Sequence, residues 1–378
     1  MAVKEPSFTI GIEEEYLLVD ETTRALASEP PPEMLAACET RIKDLVRPEF
    51  LKAQIEVGTT VCKSVAEAQG ELAYLRKEVA AIADEYDLAP IAASTHPFSE
   101  WTAQVHTDKE RYNELAENMQ GVARRLLICG MHVHVGIDDD EMRIDLLNQA
   151  KYFLPHMLAL STSSPFWRGD NTGLKSYRLS VFDELPRTGL PSRFETYGDY
   201  RRHVDVLVNA GVIPDGSMLW WDLRPAERFP TLEMRISDVC TRLKDASAIA
   251  ALFQCLLRML YRLRRSNQRW RSYAHMLINE NRWRAQRYGV DEGMIDFGRG
   301  EMVPFRELMA ELMDMLAEDA KVLGCEKELA RIPTILDLGT SAHEQIKAYD
   351  TALGLGASHE EALQAVVDWL VTTTVEDL

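Results

Sequence analysis

Thr9-Ile10-Gly11-Ile12-Glu13-Glu14-Glu15-Tyr16-Leu17 sets three consecutive carboxylates inside an otherwise apolar run near the start of the chain. Residues 8–19 are rich in β-branched and aromatic side chains and read as a strand, along which side chains alternate between faces. Glu13 and Glu15 then share one face with Thr9 and Gly11. Ile10, Ile12, Tyr16 and Leu18 take the other face, with Glu14 as the odd member among them. Two carboxylates beside a small residue make a hard, oxygen-rich cation site. The plain alternative is a solvated acidic strand end, because charged residues are mostly exposed.

Three further segments repeat the pattern. In Gly130-Met131-His132-Val133-His134-Val135-Gly136 both histidines face one way and Met131, Val133 and Val135 the other. This H-x-H has three readings: hydrogen-bonded core histidines, a zinc or iron site, or mixed metal and ligand contacts. In Thr231-Leu232-Glu233-Met234-Arg235-Ile236, Glu233 and Arg235 share a face. They read either as a salt bridge or as a metal ligand beside a phosphate clamp, since guanidinium matches phosphate oxygens in a bidentate way. Glu56 is a single carboxylate in the apolar run Gln54-Ile55-Glu56-Val57. A sheet carrying all four segments would line a cavity with Glu13, Glu15, Glu56, His132 and Glu233. Five ligands of this type suit two or three Mg²⁺ or Mn²⁺ ions better than one zinc.

Strand patterns fall at 8–19, 52–59, 89–94, 129–137, 218–224 and 231–238, and the chain after Arg242 reads as helical. Ser64-x-x-Glu67 and Ser358-x-x-Glu361 are capping boxes that open helices. Strands do not alternate regularly with helices and no Gly-rich phosphate loop follows a strand, which argues against Rossmann, P-loop and TIM-barrel folds. An α+β fold with an antiparallel sheet backed by helices fits, as a single domain over 1–378. The long segment 163–191 reads as an ordered loop. Its part from Ser163 to Arg178 is either a wall of the substrate site, with Arg178 as a carboxylate clamp, or an ordinary loop with a surface arginine.

Composition narrows the class. The formal net charge of −18 leaves no basic footprint for nucleic acid, and an anionic membrane surface would repel it. No apolar stretch approaches the roughly 20 residues of a membrane span. The six cysteines form no C-x-x-C pair and read as reduced core thiols, and the N-terminal residues lack a signal pattern, so a cytoplasmic location is expected. An exposed apolar helix face would support a homodimer, but none is identifiable in the sequence.

These residues resemble a known family. The motifs FTIGIEEEY at 8–16, GMHVHVG at 130–136, SSPFWRG at 163–169, WWDLRP at 220–225, TLEMRISD at 231–238 and NRWRAQRYG at 281–289 are similar to those of the type 2 glutamate–cysteine ligases, in particular the YbdK-like carboxylate–amine ligases. The resemblance covers nearly the whole chain. It implies the glutamine synthetase-like catalytic fold, an antiparallel sheet funnel with ATP entering one end and an amino acid the other. It implies an ATP- and Mg²⁺-dependent ligase that acts on small amino-acid substrates through an acyl phosphate. Glutamate and cysteine are the family's best-known pair; another amino acid or amine, or an idle metal–nucleotide-binding relative, stand as alternatives.

By the same resemblance Glu13, His132 and Glu233 correspond to ligands of a metal at the nucleotide phosphates, and Glu15 and Glu56 to ligands of a metal nearer the amino acid. The further carboxylate usual at that second metal has no match in these motifs. His134 corresponds to the histidine beside the phosphates. Arg235 corresponds to the arginine contacting substrate or the transferred phosphoryl group. Apart from the resemblance, Arg224 is expected to stabilise charge on that group, and Ser164 and Arg178, in the 163–178 loop, to stand on the substrate side.

Overall fold

The computed structural model describes residues 4–376 and Leu378. Seven strands form one antiparallel sheet: β1 (Ile10–Asp20), β2 (Val46–Pro48), β3 (Gln54–Gly58), β4 (Leu88–Ile91), β5 (Met131–Gly136), β6 (Leu223–Pro225) and β7 (Thr231–Met234). Their order is β6-β7-β5-β1-β3-β2, and β4 pairs with β1 beyond the end of β5. The long first strand is therefore bordered on both edges, and it sets the frame for the rest.

All six expected strand regions contribute to strands, with two differences. β2 is additional: three residues ending in Pro48 are too short for an alternation pattern, and a proline is tolerated on such an edge strand. The region 218–224 splits, because Trp220–Trp221 leaves the main sheet to pair in parallel with Thr188–Gly189 while β6 pairs with β7. Asp222 sits at the corner, buried, with Arg282 Nε 2.7 Å from its carboxylate. The chain after Arg242 is helical as expected, except for the hairpin of Met294–Asp296 and Glu301–Val303.

One sheet face is apolar. Ile12, Tyr16, Ile55, Val57, Met131, Val133, Val135, Leu232 and Met234 are all buried there. The helices Val65–Asp84 and Leu243–Arg265 pack over it. Ser64 caps the first of these by accepting a hydrogen bond from the Glu67 amide at 3.2 Å. The second is long and apolar enough by length and composition to cross a membrane, but 83% of its most apolar window is buried inside the protein. It is the central helix of a core that runs from Phe8 to Leu370.

Glu14, the odd carboxylate on this face, is fully buried. Arg76 grips it with Nε at 2.9 Å and Nη2 at 2.8 Å, and Tyr16 Oη donates to it at 2.6 Å. Arg76 also donates to the carbonyls of Cys240, Thr241 and Thr374. A buried charge is tolerated because each donor has an acceptor.

His96 follows β4 and is buried as the neutral ring. Nε2 donates to the Arg24 carbonyl at 2.9 Å, and Nδ1 accepts from the amides of Phe98 and Ser99 at 3.2 and 3.0 Å. Burial lowers its pKa to about 4. Unfolded, it would titrate near 6.5. Between those values the unfolded chain binds the extra proton, so stability falls as pH drops. We expect His96 to cost about 2 kcal/mol of stability between pH 6.5 and 5.0. Urea midpoints at the two pH values measure this, and His96→Gln should flatten the difference.

Candidate active site

Residues paired directly across antiparallel strands point to the same face. Glu13 faces His132 on β5, and Glu15 faces Glu56 on β3, which in turn faces Arg47 on β2. His134 faces Gly11 on one side and Glu233 on the other, and Glu233 faces Arg224 on β6. The register thus gathers Glu13, Glu15, Glu56, His132, His134, Glu233 and Arg224 on the face away from the helices. They line a cavity of about 400 Å³, together with Arg235 and Arg178.

Two groups of donor atoms lie side by side in it. Ligand atoms of Glu13, His134 and Glu233 all fall within 4.8 Å of one another, and so do those of Glu15, Glu49 and Glu56. In the first group the histidine is His134, where the resemblance had put His132. The difference follows from ring anchoring. His134 Nδ1 lies 3.0 Å from Thr231 Oγ1, and its Nε2 lies 3.7 Å from Glu13 Oε2. In the tautomer that donates from Nδ1 to Thr231, the Nε2 lone pair is free for a cation. His132 sits deeper, its Nδ1 3.2 Å from Glu13 Oε2 and 3.3 Å from Arg235 Nη1. Burial, and after it the Arg235 charge, push its pKa down to about 4.

In the second group Glu49 is the carboxylate that the motifs did not reveal. It lies in the link between β2 and β3, and its Oε2 accepts the Phe50 amide at 2.9 Å. Burial, reinforced by the Glu49 charge, raises the pKa of Glu15 to about 8 and that of Glu56 well above the usual carboxylate range. Carboxylates this close repel one another, which favours the protonated form of Glu15 and Glu56. Glu13 and Glu233 behave oppositely. Burial raises both, but the histidines outweigh it at Glu13, and Arg235 and Arg224 outweigh it at Glu233, so both stay ionised. Five carboxylates and one imidazole form a hard donor set that fits Mg²⁺ or Mn²⁺.

The arginines frame these donors. Arg224 holds Glu233 with Nε at 2.8 Å and Nη2 at 3.2 Å, and its Nη1 is fixed to the carbonyls of Ser217 and Leu219. Arg235 Nη1 lies 2.5 Å from Glu233 Oε1, the oxygen that Arg224 Nη2 also reaches. Arg178 is only 2% exposed, yet its guanidinium reaches just the carbonyls of Ile236 and Arg235, and its Nε has no hydrogen-bond partner among the described residues. A buried cation without a carboxylate at hydrogen-bond distance is a ready anion site.

Gly130 makes room for it: a Cβ there would come 2.5 Å from Arg178 Nη2. Gly130→Ala should displace the guanidinium and weaken binding of an anionic ligand about tenfold with little change in melting temperature, which calorimetry and thermal denaturation would check together.

Ser164 is a correction. It does not line the cavity. Its fully buried hydroxyl donates to Asp238 at 2.8 Å and accepts the Arg178 amide at 3.1 Å. Asp238 also binds Ser176 Oγ and the Ser163 amide, so the carboxylate ties the 163–178 segment to the end of β7. Ser164 therefore positions the start of the Arg178–Phe182 helix and is not in reach of a substrate. Arg282 likewise bridges Asp183 and Asp222, away from the donors.

The chain is similar to known proteins over nearly its whole length. The model of glutamate–cysteine ligase family 2 matches residues 9–368. A protein of Rhodospirillum rubrum provisionally named glutamate–cysteine ligase 2 is 60% identical over 380 residues, covering 100% of this chain and 98% of its own. One of the same name from Paracoccus denitrificans is 50% identical over 375 residues, covering 99% of this chain and 100% of its own. Among solved structures, the glutamate–cysteine ligase of Francisella tularensis in complex with AMP superposes with a TM-score of 0.68 at 15% identity, over 99% of this chain and 90% of that one. A bifunctional glutathione synthetase of Pasteurella multocida gives 0.69 at 17% identity, over 98% of this chain and 53% of that one. The expected glutamine synthetase-like fold is the one observed. With its motifs, its sheet and its relatives in agreement over nearly every residue, the chain belongs to glutamate–cysteine ligase family 2, a family of carboxylate–amine ligases.

Proposed function

We propose that this protein is an ATP- and Mg²⁺-dependent ligase (Mn²⁺ serving as well) that phosphorylates the γ-carboxylate of glutamate and passes the acyl group to an amine. The observation that carries the reading is the pair of adjacent donor groups under Arg224, Arg235 and Arg178 in one cavity. The relatives' names give glutamate as the carboxylate and cysteine as the amine. A cytoplasmic location is supported by six free, buried cysteines. We treat residues 1–378 as one catalytic domain, since the main core draws on both ends of the chain.

A carboxylate is a poor acylating agent because oxide is a poor leaving group. In the first step a carboxylate oxygen attacks the γ-phosphorus and ADP leaves. In the second the amine attacks the acyl carbon, phosphate leaves and the amine loses a proton. Both reactants of the first step are anions, so their repulsion must be offset. Glu13, His134 and Glu233 would hold one divalent cation and Glu15, Glu49 and Glu56 another. Such cations bind phosphate oxygens and neutralise charge on the transferred group. Arg235 and Arg224 stand beside Glu233 and offer further positive charge where the γ-phosphate would lie. Arg178, buried near the Glu15 group, would take a carboxylate of the amino acid. His132 is neutral and close to Glu13, which suits packing within the donor network more than proton transfer.

The test uses the whole protein with ATP, Mg²⁺, glutamate and hydroxylamine, which traps an acyl phosphate as a hydroxamate. Hydroxamate and ADP should form together and depend on both Mg²⁺ and glutamate. ADP release that ignores the amino acid, or none at all, would refute the reading.

A further inference from the structure

Resting on that reading, we infer that the amine accepted by this enzyme carries an apolar group larger than the side chain of cysteine. The cavity has two unlike ends. Around His134 and Arg224 it is bordered by Ser217, Glu227, Arg228 and Phe229. Beyond the Glu15–Glu49–Glu56 group it is walled by Phe50, Tyr112, Leu115, Leu126, Ile128 and Phe182, with the cationic Arg47 and Lys109 beside them.

Contacts place four of these around the second donor group, and Leu115 and Leu126 line the same cavity. Phe50 follows Glu49 and accepts no slack: its amide is tied to the Glu49 carboxylate. Tyr112, on the Glu110–Met119 helix, packs edge-on against Phe50 with ring centres 5.9 Å apart, and its Oη donates to the Pro48 carbonyl at 3.0 Å. Leu115 lies one turn further along that helix. Ile128 is fixed through its carbonyl to Gln54 Nε2 at 2.7 Å, two residues before the Gly130 amide that donates to Glu15. Phe182 lies under the Arg178 guanidinium, 5.3 Å from ring centre to Cζ. All six are buried or partly buried against the main core, and all six border open space in the cavity.

Glutamate offers this end a carboxylate for Arg178 and a reacting carboxylate for the cations, with an ammonium-bearing carbon and two methylenes between. Cysteine carries little apolar surface to set against these side chains. An apolar amine, an aliphatic or aromatic amino acid or an alkylamine, would cover it, and each buried methylene adds to affinity. A site built this way prefers the larger apolar ligand, although each methylene contributes only modestly to discrimination.

The experiment follows product by mass spectrometry with glutamate, ATP and Mg²⁺ and one acceptor at a time: leucine, phenylalanine, isoamylamine, cysteine, glycine or ammonia. We expect kcat/KM for at least one apolar amine to exceed that for cysteine tenfold or more. Leu126→Asp should lower kcat/KM for that amine tenfold or more by raising its KM, while hydroxamate formation with hydroxylamine persists. Cysteine, glycine or ammonia as the best acceptor overturns the inference and leaves the ligase reading standing, provided hydroxamate forms. Absence of hydroxamate from the unaltered protein overturns both. An unchanged KM for the apolar amine in Leu126→Asp also overturns the inference, with Leu115→Glu as the independent check should Leu126→Asp fail to fold.

Discussion

Glu233→Gln should lower kcat by about 10³-fold or more while the far-ultraviolet circular dichroism stays that of the folded protein. Glutamine has the shape of glutamate but no charge. In the native site one carboxylate serves three partners: Arg224 at 2.8 and 3.2 Å, Arg235 at 2.5 Å, and the donor group with Glu13 and His134. The amide would turn an N–H toward at least one guanidinium, where two donors repel. It would also take a negative charge from the donor group proposed to hold one cation, which would weaken Mg²⁺ binding there. The arginines would lose their fixed position, and positioning of charge is the larger share of phosphoryl-transfer catalysis. Excess Mg²⁺ should therefore restore only part of the rate. Activity within tenfold of the unaltered protein would remove Glu233 from the site. Glu13→Gln should behave alike, since Glu13 is the other ionised carboxylate of the same group.

The largest effect on stability is expected at Arg76. Arg76→Met should cost about 3–5 kcal/mol, because it leaves a carboxylate buried without its counter-charge. Methionine fills much of the same space, so the loss is electrostatic rather than a cavity. Three carbonyls, at Cys240, Thr241 and Thr374, lose a donor in the same change. Adding Glu14→Gln should recover part of the loss, giving a coupling of the sign expected for a direct pair. Urea unfolding of the two single variants and the double variant measures it; additive losses would show that Arg76 acts through the carbonyls alone.

The strand faces were legible because a period of two needs only the residues themselves. Glu13 with Glu15, and His132 with His134, were placed on one face by counting, and the register confirms that they share it. The choice between the two histidines was not legible. It depends on Thr231, nearly a hundred residues away in sequence, which anchors one ring. Glu49 escaped for a different reason. It stands in Arg47-Pro48-Glu49-Phe50, a link too short to carry periodicity, although a carboxylate between a proline and an apolar run was the available signal. Ser164 misled because a serine in a motif reads the same whether it meets a ligand or a buried aspartate. Glu14 looked anomalous on an apolar face, and only its partner from the Val65–Asp84 helix explains it.

β1 carries chemistry and anchorage on alternate residues, Glu13 and Glu15 toward the cavity and Glu14 toward Arg76. A slip of one position would drive two carboxylates into the core and swing the third out. The buried ion pair thus works as a key that admits one alignment of the strand. Insertions or deletions of a single residue should therefore be lethal to this segment.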